Sequence, residues 1–372
     1  MSVPLRVPRL VAAALLALVL AAALLVGEPS ASPAAPGADA VAGKPGRPGG
    51  KQKGTISWDV TSFGPGGSVV AHGKLKGKGK RKIRLQVRTK GAWDTFGATR
   101  TDRKGNFAVS APLAWYGEHE VRAITAGRRP FKKRTTVTVS PGYVPRGSAD
   151  FVYNTSTSGP RLLQNSCKTL KYVVNVDDVG QTGLDMVVAS MGQLSYATGV
   201  RTKLVGLTSD HPFPASGSRV PGAANMIIGW ASPAEEPLVD GNVGVTRYLR
   251  TKAARDRDGR GKKAYLVTDT AIVLNTDLWN GGTYSQSFVD TKRTFAKTVL
   301  HELGHAFGLD HVDQLEPMMH PGNVAPQADG TYTGRYEASD LAGLAATGLG
   351  LGCVRPARGG GFRGGITPPD VY

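Results

Sequence analysis

The chain has 372 residues, of which 40% are hydrophobic and 20% are charged, and its net charge is +18. This apolar content is ordinary for a soluble globular protein, which excludes a wholly disordered chain, and the length suffices for two domains with linkers. The large excess of base indicates either an anionic partner or a strongly solvated surface.

The first 40 residues are typical of an export signal and leader. Arg6 and Arg9 precede an uninterrupted apolar run over residues 10–26, and no acidic residue comes before that run. A basic start followed by such a run predicts a secretory signal peptide, with cleavage after Ser32 or after Ala40. An uncleaved membrane anchor is the alternative. We therefore expect a secreted protein, possible association with the cell wall, and no stable membrane span after processing.

A β-sandwich is predicted after a flexible linker over residues 41–54, which is rich in Pro, Gly and Lys. Alternating apolar and polar residues cover residues 55–61, 68–75, 82–89, 93–101, 105–111, 119–125 and 135–140. Turn signals separate these runs, and about seven short strands at this spacing predict a sandwich over residues 55–142. Residues 83–87, Trp93 and residues 105–109 resemble the immunoglobulin-like accessory modules of secreted bacterial proteins.

The positive charge is concentrated in this region. Residues 41–149 contain 23 Lys and Arg and 5 Asp and Glu, a net charge of +18, whereas residues 150–372 contain 21 of each kind. The cations cluster over residues 74–82 and again over residues 128–134. Such density costs self-repulsion, which favours a polyanionic partner for residues 55–142. An anionic cell-envelope polymer is preferred to nucleic acid because export is predicted, and a merely solvated face is the alternative.

The strongest chemical signal is the stretch from His301 to His311. Residues four apart share one face of a helix, so the imidazoles of His301 and His305 can bind one metal ion. Gly308 can then end the helix, so that His311 returns as a third ligand and a fourth position is left for water. Glu302 lies beside these ligands without being forced to bind the metal, which suits a general base. The alternative is a core helix that carries histidines by coincidence.

This stretch matches HExxHxxGxxH and resembles the signature of the metzincin zinc peptidases. That family has a methionine turn beneath the metal. Met319 resembles the turn methionine of the matrixin branch, with Met318 as the alternative. The resemblance covers residues 165–353 and implies an α/β domain with a mixed twisted sheet, a zinc helix and a C-terminal helix. It also implies one catalytic zinc ion, Glu302 as the general base, and a protein or peptide substrate.

The peptidase domain is predicted over residues 161–354, between a linker over residues 143–160 and a disordered tail over residues 355–372. Predicted strands cover residues 169–176, 203–207, 225–230, 243–248 and 270–275. Helices are predicted over residues 184–198, from about residue 289 to Gly308, and over residues 336–344. Ser339 and Asp340 are the expected caps of the last helix. Val312 stands where matrixins usually place serine.

Two cysteines, Cys167 and Cys353, occur near the two ends of this domain. In an exported protein we expect them to form a disulfide. The alternatives are two free buried thiols, or Cys167 as a latency ligand of the metal. Residues 256–261 are similar to a calcium loop but lack the distal glutamate, so a structural Ca²⁺ has no support.

The sequence therefore predicts a secreted zinc metalloendopeptidase with a basic accessory module. A zinc hydrolase of cell-wall peptides uses the same ligands and is the nearest alternative. A catalytically inactive envelope-binding protein is a third hypothesis, but such a protein does not need the carboxylate of Glu302.

Overall fold

The computed structural model describes residues 53–357, apart from positions 60, 78, 90–91, 114, 128–129, 156–158, 214–218, 257–260 and 323–324, together with residues 362–363. The predicted signal peptide, most of the predicted linker before the sandwich, most of the calcium-like loop and most of the predicted tail lie outside these residues. The described chain is rich in β-structure, with strands in several sheets and few helices, which confirms this part of the prediction. No described helix is long and apolar enough to span a membrane.

In chain order, the strands of the described residues are β1 (Gly54–Trp58), β2 (Ser62–Phe63), β3 (Ser68–Leu75), β4 (Lys82–Thr89), β5 (Ala92–Arg100), β6 (Asn106–Pro112), β7 (Gly117–Thr125), β8 (Lys132–Val139), β9 (Val152–Tyr153), β10 (Arg161–Leu163), β11 (Leu170–Val174), β12 (Thr202–Leu207), β13 (Met226–Ala231), β14 (Gly244–Arg255), β15 (Lys263–Asn275), β16 (Val289–Asp290), β17 (Leu309–Asp310), β18 (Tyr332–Thr333), β19 (Arg355–Pro356) and β20 (Phe362–Arg363). The helices are α1 (Gly180–Thr198), α2 (Thr276–Asn280), α3 (Phe295–Ala306) and α4 (Ala338–Thr347).

Strands β1 to β8 form two sheets that share one apolar core, and we call residues 54–139 the sandwich. One sheet has the order β1-β3-β6, and the other has the order β2-β8-β7-β4-β5. Side chains point alternately to the two faces of a strand, and β6 accordingly alternates strictly between exposed and buried residues. The buried residues of both sheets meet in a single cluster that includes Leu85, Val109 and Val121.

The largest sheet follows, and we call residues 161–357 the metal-site region. Its order is β12-β11-β13-β15-β14-β19, with β10 also paired to β15 and β20 to β14. Strands β11, β12, β13 and β15 run parallel, whereas β14 runs antiparallel to β15. Every residue of β13 is buried because both faces are covered. Helices α1, α3 and α4 cover one face, and residues such as Phe213 and Val239 cover the other.

Three segments differ from the predicted elements. Helix α3 begins at Phe295 and not near residue 289, because β16 pairs with β18 before the helix starts. Glu337, not Ser339, is the N-cap of α4, and Asp340 accepts the Glu337 N–H at 2.8 Å. Within residues 143–160, predicted as a linker from composition, Val152 and Tyr153 form β9 and pair with β17. Pairing to a partner far along the chain leaves no signal in local composition.

Cys167 and Cys353 form a disulfide in the structure. The two residues are separated by 186 positions, and their Cα atoms lie 5.2 Å apart. The Oγ of Ser166 donates a hydrogen bond to the Gly352 carbonyl at 2.9 Å beside this bridge. The start and the end of the metal-site region are therefore joined both covalently and by a hydrogen bond.

Candidate metal centre

Helix α3 supplies the first two histidines. Thr294 is its N-cap, and one side of the helix buries Phe295, Val299 and Leu303 in the main core. This burial fixes the rotation of the helix about its axis. His301 and His305, one turn apart, consequently line the same cavity.

Gly308 brings the third histidine back to this cavity. Its φ is +89°, a backbone conformation that favours glycine, and an added Cβ would lie 2.1 Å from the Leu162 carbonyl oxygen. The chain turns here after α3, pairs as β17 with β9, and then reaches His311. No other residue type fits this turn without displacing strand β10.

The three histidines converge through their Nε2 atoms. The Nε2 of His305 lies 3.0 Å from that of His301 and 3.2 Å from that of His311, and the remaining pair is 3.1 Å apart. The Nδ1 of His301 lies 2.6 Å from the Met318 carbonyl oxygen, and the Nδ1 of His305 lies 2.9 Å from that of Leu309. A carbonyl oxygen only accepts, so Nδ1 carries the proton in these two rings and each Nε2 presents its lone pair to the shared point.

These side chains form a group that could hold a metal ion. Bonds of about 2.0 Å in a tetrahedral arrangement place two ligand nitrogens about 3.3 Å apart, close to the separations found here. Burial, with the neighbouring histidines, lowers the pKa of His301 well below its ordinary value and lowers the pKa of His305 to about 4. The rings are therefore neutral near pH 7, which is the form that binds a metal.

Glu302 is buried next to the three histidines, and its carboxylate is not part of the group of converging nitrogen atoms. The Oγ1 of Thr246, on β14, lies 2.7 Å from Oε2 of Glu302 and 2.9 Å from its backbone oxygen. Burial raises the pKa of Glu302 to about 7, and the hydrogen bond from Thr246 acts in the opposite direction. The carboxylate is thus held in one orientation at the wall of the cavity.

Met318 and Met319 both contact the helix that carries the ligands, in different ways. The backbone oxygen of Met318 accepts from His301, whereas the Sδ of Met319 lies where a Cβ on Gly304 would be, at 2.2 Å. Asp340 holds the turn, since its carboxylate accepts the N–H groups of Met318 at 2.7 Å and of Met319 at 3.0 Å. Met319 therefore packs directly against α3 at Gly304.

A cavity of about 260 Å³ extends from the histidines between β14 and α3. Arg293 and Lys297 line it, and Glu302 is the acidic residue among its described lining residues. Burial first, and then the charges of Arg293 and Arg146, lower the pKa of Lys297 to about 7. The ammonium group lies 5.4 Å from the centre of the Tyr332 ring. Arg293 therefore supplies a cation to this wall of the cavity, and Lys297 supplies a second one below about pH 7.

The edge of β14 at this cavity is open among the described residues. Residues Gly244 to Tyr248 pair with β15 on one side, and β19 and β20 pair with β14 only from Thr251 onward. The backbone groups on the second side of this half of the strand can therefore pair with an added strand.

The structure brings together His301, His305, His311, Glu302 and Met319. The Cys167–Cys353 bridge does not line the cavity at the histidines. Both cysteines are consumed in that bridge, so Cys167 has no thiol to bind a metal. Sequence reasoning did not identify Thr246, Lys297 or Tyr248, whose hydroxyl donates to the His305 carbonyl. Of these three residues, only Lys297 could have been noticed in the sequence, because it lies one helical turn before His301.

Comparisons with known proteins give no family. No family model matches the chain, and no curated protein is similar to it in sequence. A variant of the superoxide reductase neelaredoxin from Ignicoccus hospitalis is 11% identical, with a TM-score of 0.20, over 23% of this chain and 80% of that chain. The CARDB domain of a Pyrococcus furiosus protein in complex with di-metal ions is 13% identical, with a TM-score of 0.19, over 24% of this chain and 88% of that chain. These similarities are too weak to indicate a function.

Proposed function

We propose that this protein is a secreted zinc-dependent endopeptidase of the metzincin type, with an immunoglobulin-like sandwich before the peptidase domain. The observation that carries the proposal is the convergence of the Nε2 atoms of three histidines within 3.2 Å of one another beside the buried carboxylate of Glu302. Three histidines supply a zinc site that keeps one position open. The packing of Met319 against Gly304 supports the same family.

The open edge of β14 suggests how a peptide would bind. An extended peptide can add to such an edge through main-chain hydrogen bonds, which gives affinity for any sequence. Its side chains then alternate between the two sides of the added strand, and those on one side enter the cavity lined by Lys297. Because this edge and the histidines line the same cavity, the peptide bond lies beside the metal position.

The chain's own residues then handle the proton. A zinc ion on the three Nε2 atoms would polarise the scissile carbonyl and acidify water, the chemistry that the protein side chains lack. Thr246 holds Oε2 of Glu302, and we assign Oε1 to proton transfer. Glu302 takes a proton from water and delivers it to the leaving amine, which makes it the general base and then the general acid.

Zinc content and peptide cleavage by the Glu302→Gln variant test this function. We expect one zinc ion per chain in both proteins and turnover about 10³-fold lower in the variant, since the proton acceptor is lost and the ligands are kept. Glu235→Gln, an exposed acid on another loop, is the matched control and should cleave normally. Loss of zinc in Glu302→Gln would show that Glu302 is a ligand.

The same assay separates the two alternatives. Cleavage of cell-wall peptides but not of unfolded proteins would favour the wall hydrolase. Stoichiometric zinc in a wild-type protein that cleaves no member of a peptide library would favour the inactive envelope-binding protein.

A further inference from the structure

One face of the sandwich carries an unusual arrangement of cations. In the sheet β2-β8-β7-β4-β5, directly paired residues of neighbouring strands share a face. Arg84 on β4 pairs with Ile124 on β7, which pairs with Lys132 on β8. The next row places Gln86, Arg122 and Arg134 side by side. The opposite face of the same strands is buried in the core, so these side chains point outward.

We call this surface the basic face, formed by Lys82, Arg84, Arg100, Arg122, Lys132 and Arg134. Lys82 on β4 pairs with Arg100 on β5, and these two residues form a third row of the same face. A seventh cation, Arg88, is paired with Glu120 at 2.5 Å. The other acid on the face is Glu118, so like charges predominate on a flat surface.

The aromatic residues of this sheet are not free to stack on bases. The guanidinium groups of Arg122 and Arg134 lie 4.2 Å and 5.2 Å from the centre of the Trp93 ring. Phe96 and Phe131 pack against the sandwich core. Single-stranded nucleic acid is held by aromatic platforms as well as by charge, and the described aromatic residues of this sheet are already engaged.

We propose that the basic face binds a linear polymer of repeating phosphodiesters that carries no bases. Cations repeat at roughly 7 Å along a strand and at about 4.8 Å between strands, so an extended chain of phosphates can contact several at once. Four of the six are arginines, whose planar forks match phosphate oxygens. Recognition is by charge and spacing, independently of the metal site and of the proposed peptidase activity.

The test measures binding of poly(glycerol phosphate) to the full chain as salt increases. We expect binding at low salt, because the polymer releases counterions when it binds. In the triple variant Arg84→Gln, Arg100→Gln and Lys132→Gln, affinity should fall about tenfold or more, and the slope of log affinity against log salt should fall by about 2. The conservative triple Arg84→Lys, Arg100→Lys and Lys132→Arg should keep both.

The matched control neutralises three exposed cations of the metal-site region, Arg201, Lys203 and Arg219. This variant should bind as the wild type does. Equal losses in the two neutralised variants would overturn the basic face, and so would failure of the wild type to bind at low salt. A thymidine oligonucleotide of equal charge that binds more tightly than poly(glycerol phosphate) would overturn the choice of partner. Unchanged thermal unfolding of each variant establishes that the fold is kept.

Discussion

The sandwich and the metal-site region place their charges in opposite ways. Residues 41–149, which include the sandwich, have a net charge of +18, yet no Asp, Glu, Lys or Arg is buried among the described residues of the sandwich. Residues 150–372 carry 21 basic and 21 acidic residues, yet the metal-site region buries Glu302, Glu337 and Asp340. The described sandwich therefore keeps its charged side chains in contact with water, whereas the metal-site region buries some of its acids.

This difference separates two kinds of recognition. Exposed cations attract many anionic partners, and salt weakens their binding. A buried charge is costly unless hydrogen bonds satisfy it, so it is held in one geometry. Glu337 shows this in the metal-site region, where Arg146 and Arg335 contact its carboxylate at 3.1 Å and 3.2 Å. Buried charges therefore hold neighbouring groups in a fixed geometry. Exposed cations form a surface that attracts anionic partners.

Removing the disulfide should have the largest effect on stability, and this effect should be greatest in the metal-site region. In the double variant Cys167→Ser and Cys353→Ser, the unfolded chain is no longer closed over 186 residues. We expect the free energy of unfolding of the metal-site region to fall by about 4 kcal/mol. Hydrogen exchange on the full chain measures each region separately. Equal loss of protection in β4 and β7 of the sandwich would contradict this expectation.

A smaller effect is expected when Asp340 is replaced by asparagine. The carboxylate of Asp340 accepts three backbone N–H groups, from Met318, Met319 and Glu337. An amide has one accepting oxygen, so at least one buried donor loses its partner, and we expect a loss of about 2–3 kcal/mol. Denaturant unfolding at pH 8 measures it, because burial raises the pKa of Asp340 to about 6 and the carboxylate is ionised there.

The matched control is Glu118→Gln, an exposed acid of the sandwich. It should change the free energy of unfolding by less than about 0.5 kcal/mol. If Asp340→Asn and Glu118→Gln had the same free energy of unfolding, a buried acid would contribute no more to stability than an exposed one. Asp340→Asn should also weaken binding of the proposed zinc ion, because the turn that Asp340 holds positions the Met318 carbonyl against His301.

Local pattern predicted the elements whose burial alternates within one short segment. Strands β3 and β4 have the predicted limits, residues 68–75 and 82–89, because one face of each strand packs on the core. The shared face of His301 and His305 followed equally from helical spacing, and the return of His311 followed from the turn at Gly308. Contacts between distant segments left no such pattern: Thr246 is 56 residues from Glu302, and Arg146 is 191 residues from Glu337. Only the assembled sheet and helices bring these pairs together.

The smallest expected effect concerns the cationic wall of the cavity, and it rests on the proposed peptidase activity. Lys297 and Arg293 line the cavity, and the lining acid Glu302 is engaged by Thr246. Below about pH 7, where Lys297 is protonated, a substrate side chain with a carboxylate therefore meets two cations, and Glu302 is the acid among the described lining residues. We expect peptides with Glu at the cavity position to be preferred to peptides with Leu. In Lys297→Met this preference should fall about tenfold, since hydrogen bonds to charged groups contribute about 1.5–3 kcal/mol.

The ratio of kcat/KM for two peptides that differ only as Glu or Leu measures the preference and cancels changes in the amount of active enzyme. Lys292→Met is the control, because Lys292 is an exposed cation close to the same helix. It changes the net charge equally, so a general electrostatic attraction of acidic peptides would alter both variants alike. A change confined to Lys297→Met would assign the selectivity to the enclosed cation. Selective recognition would then depend on a cation that lines the cavity and not on the exposed cations. If Lys297→Met slowed both peptides equally, Lys297 would support the site without selecting its substrate.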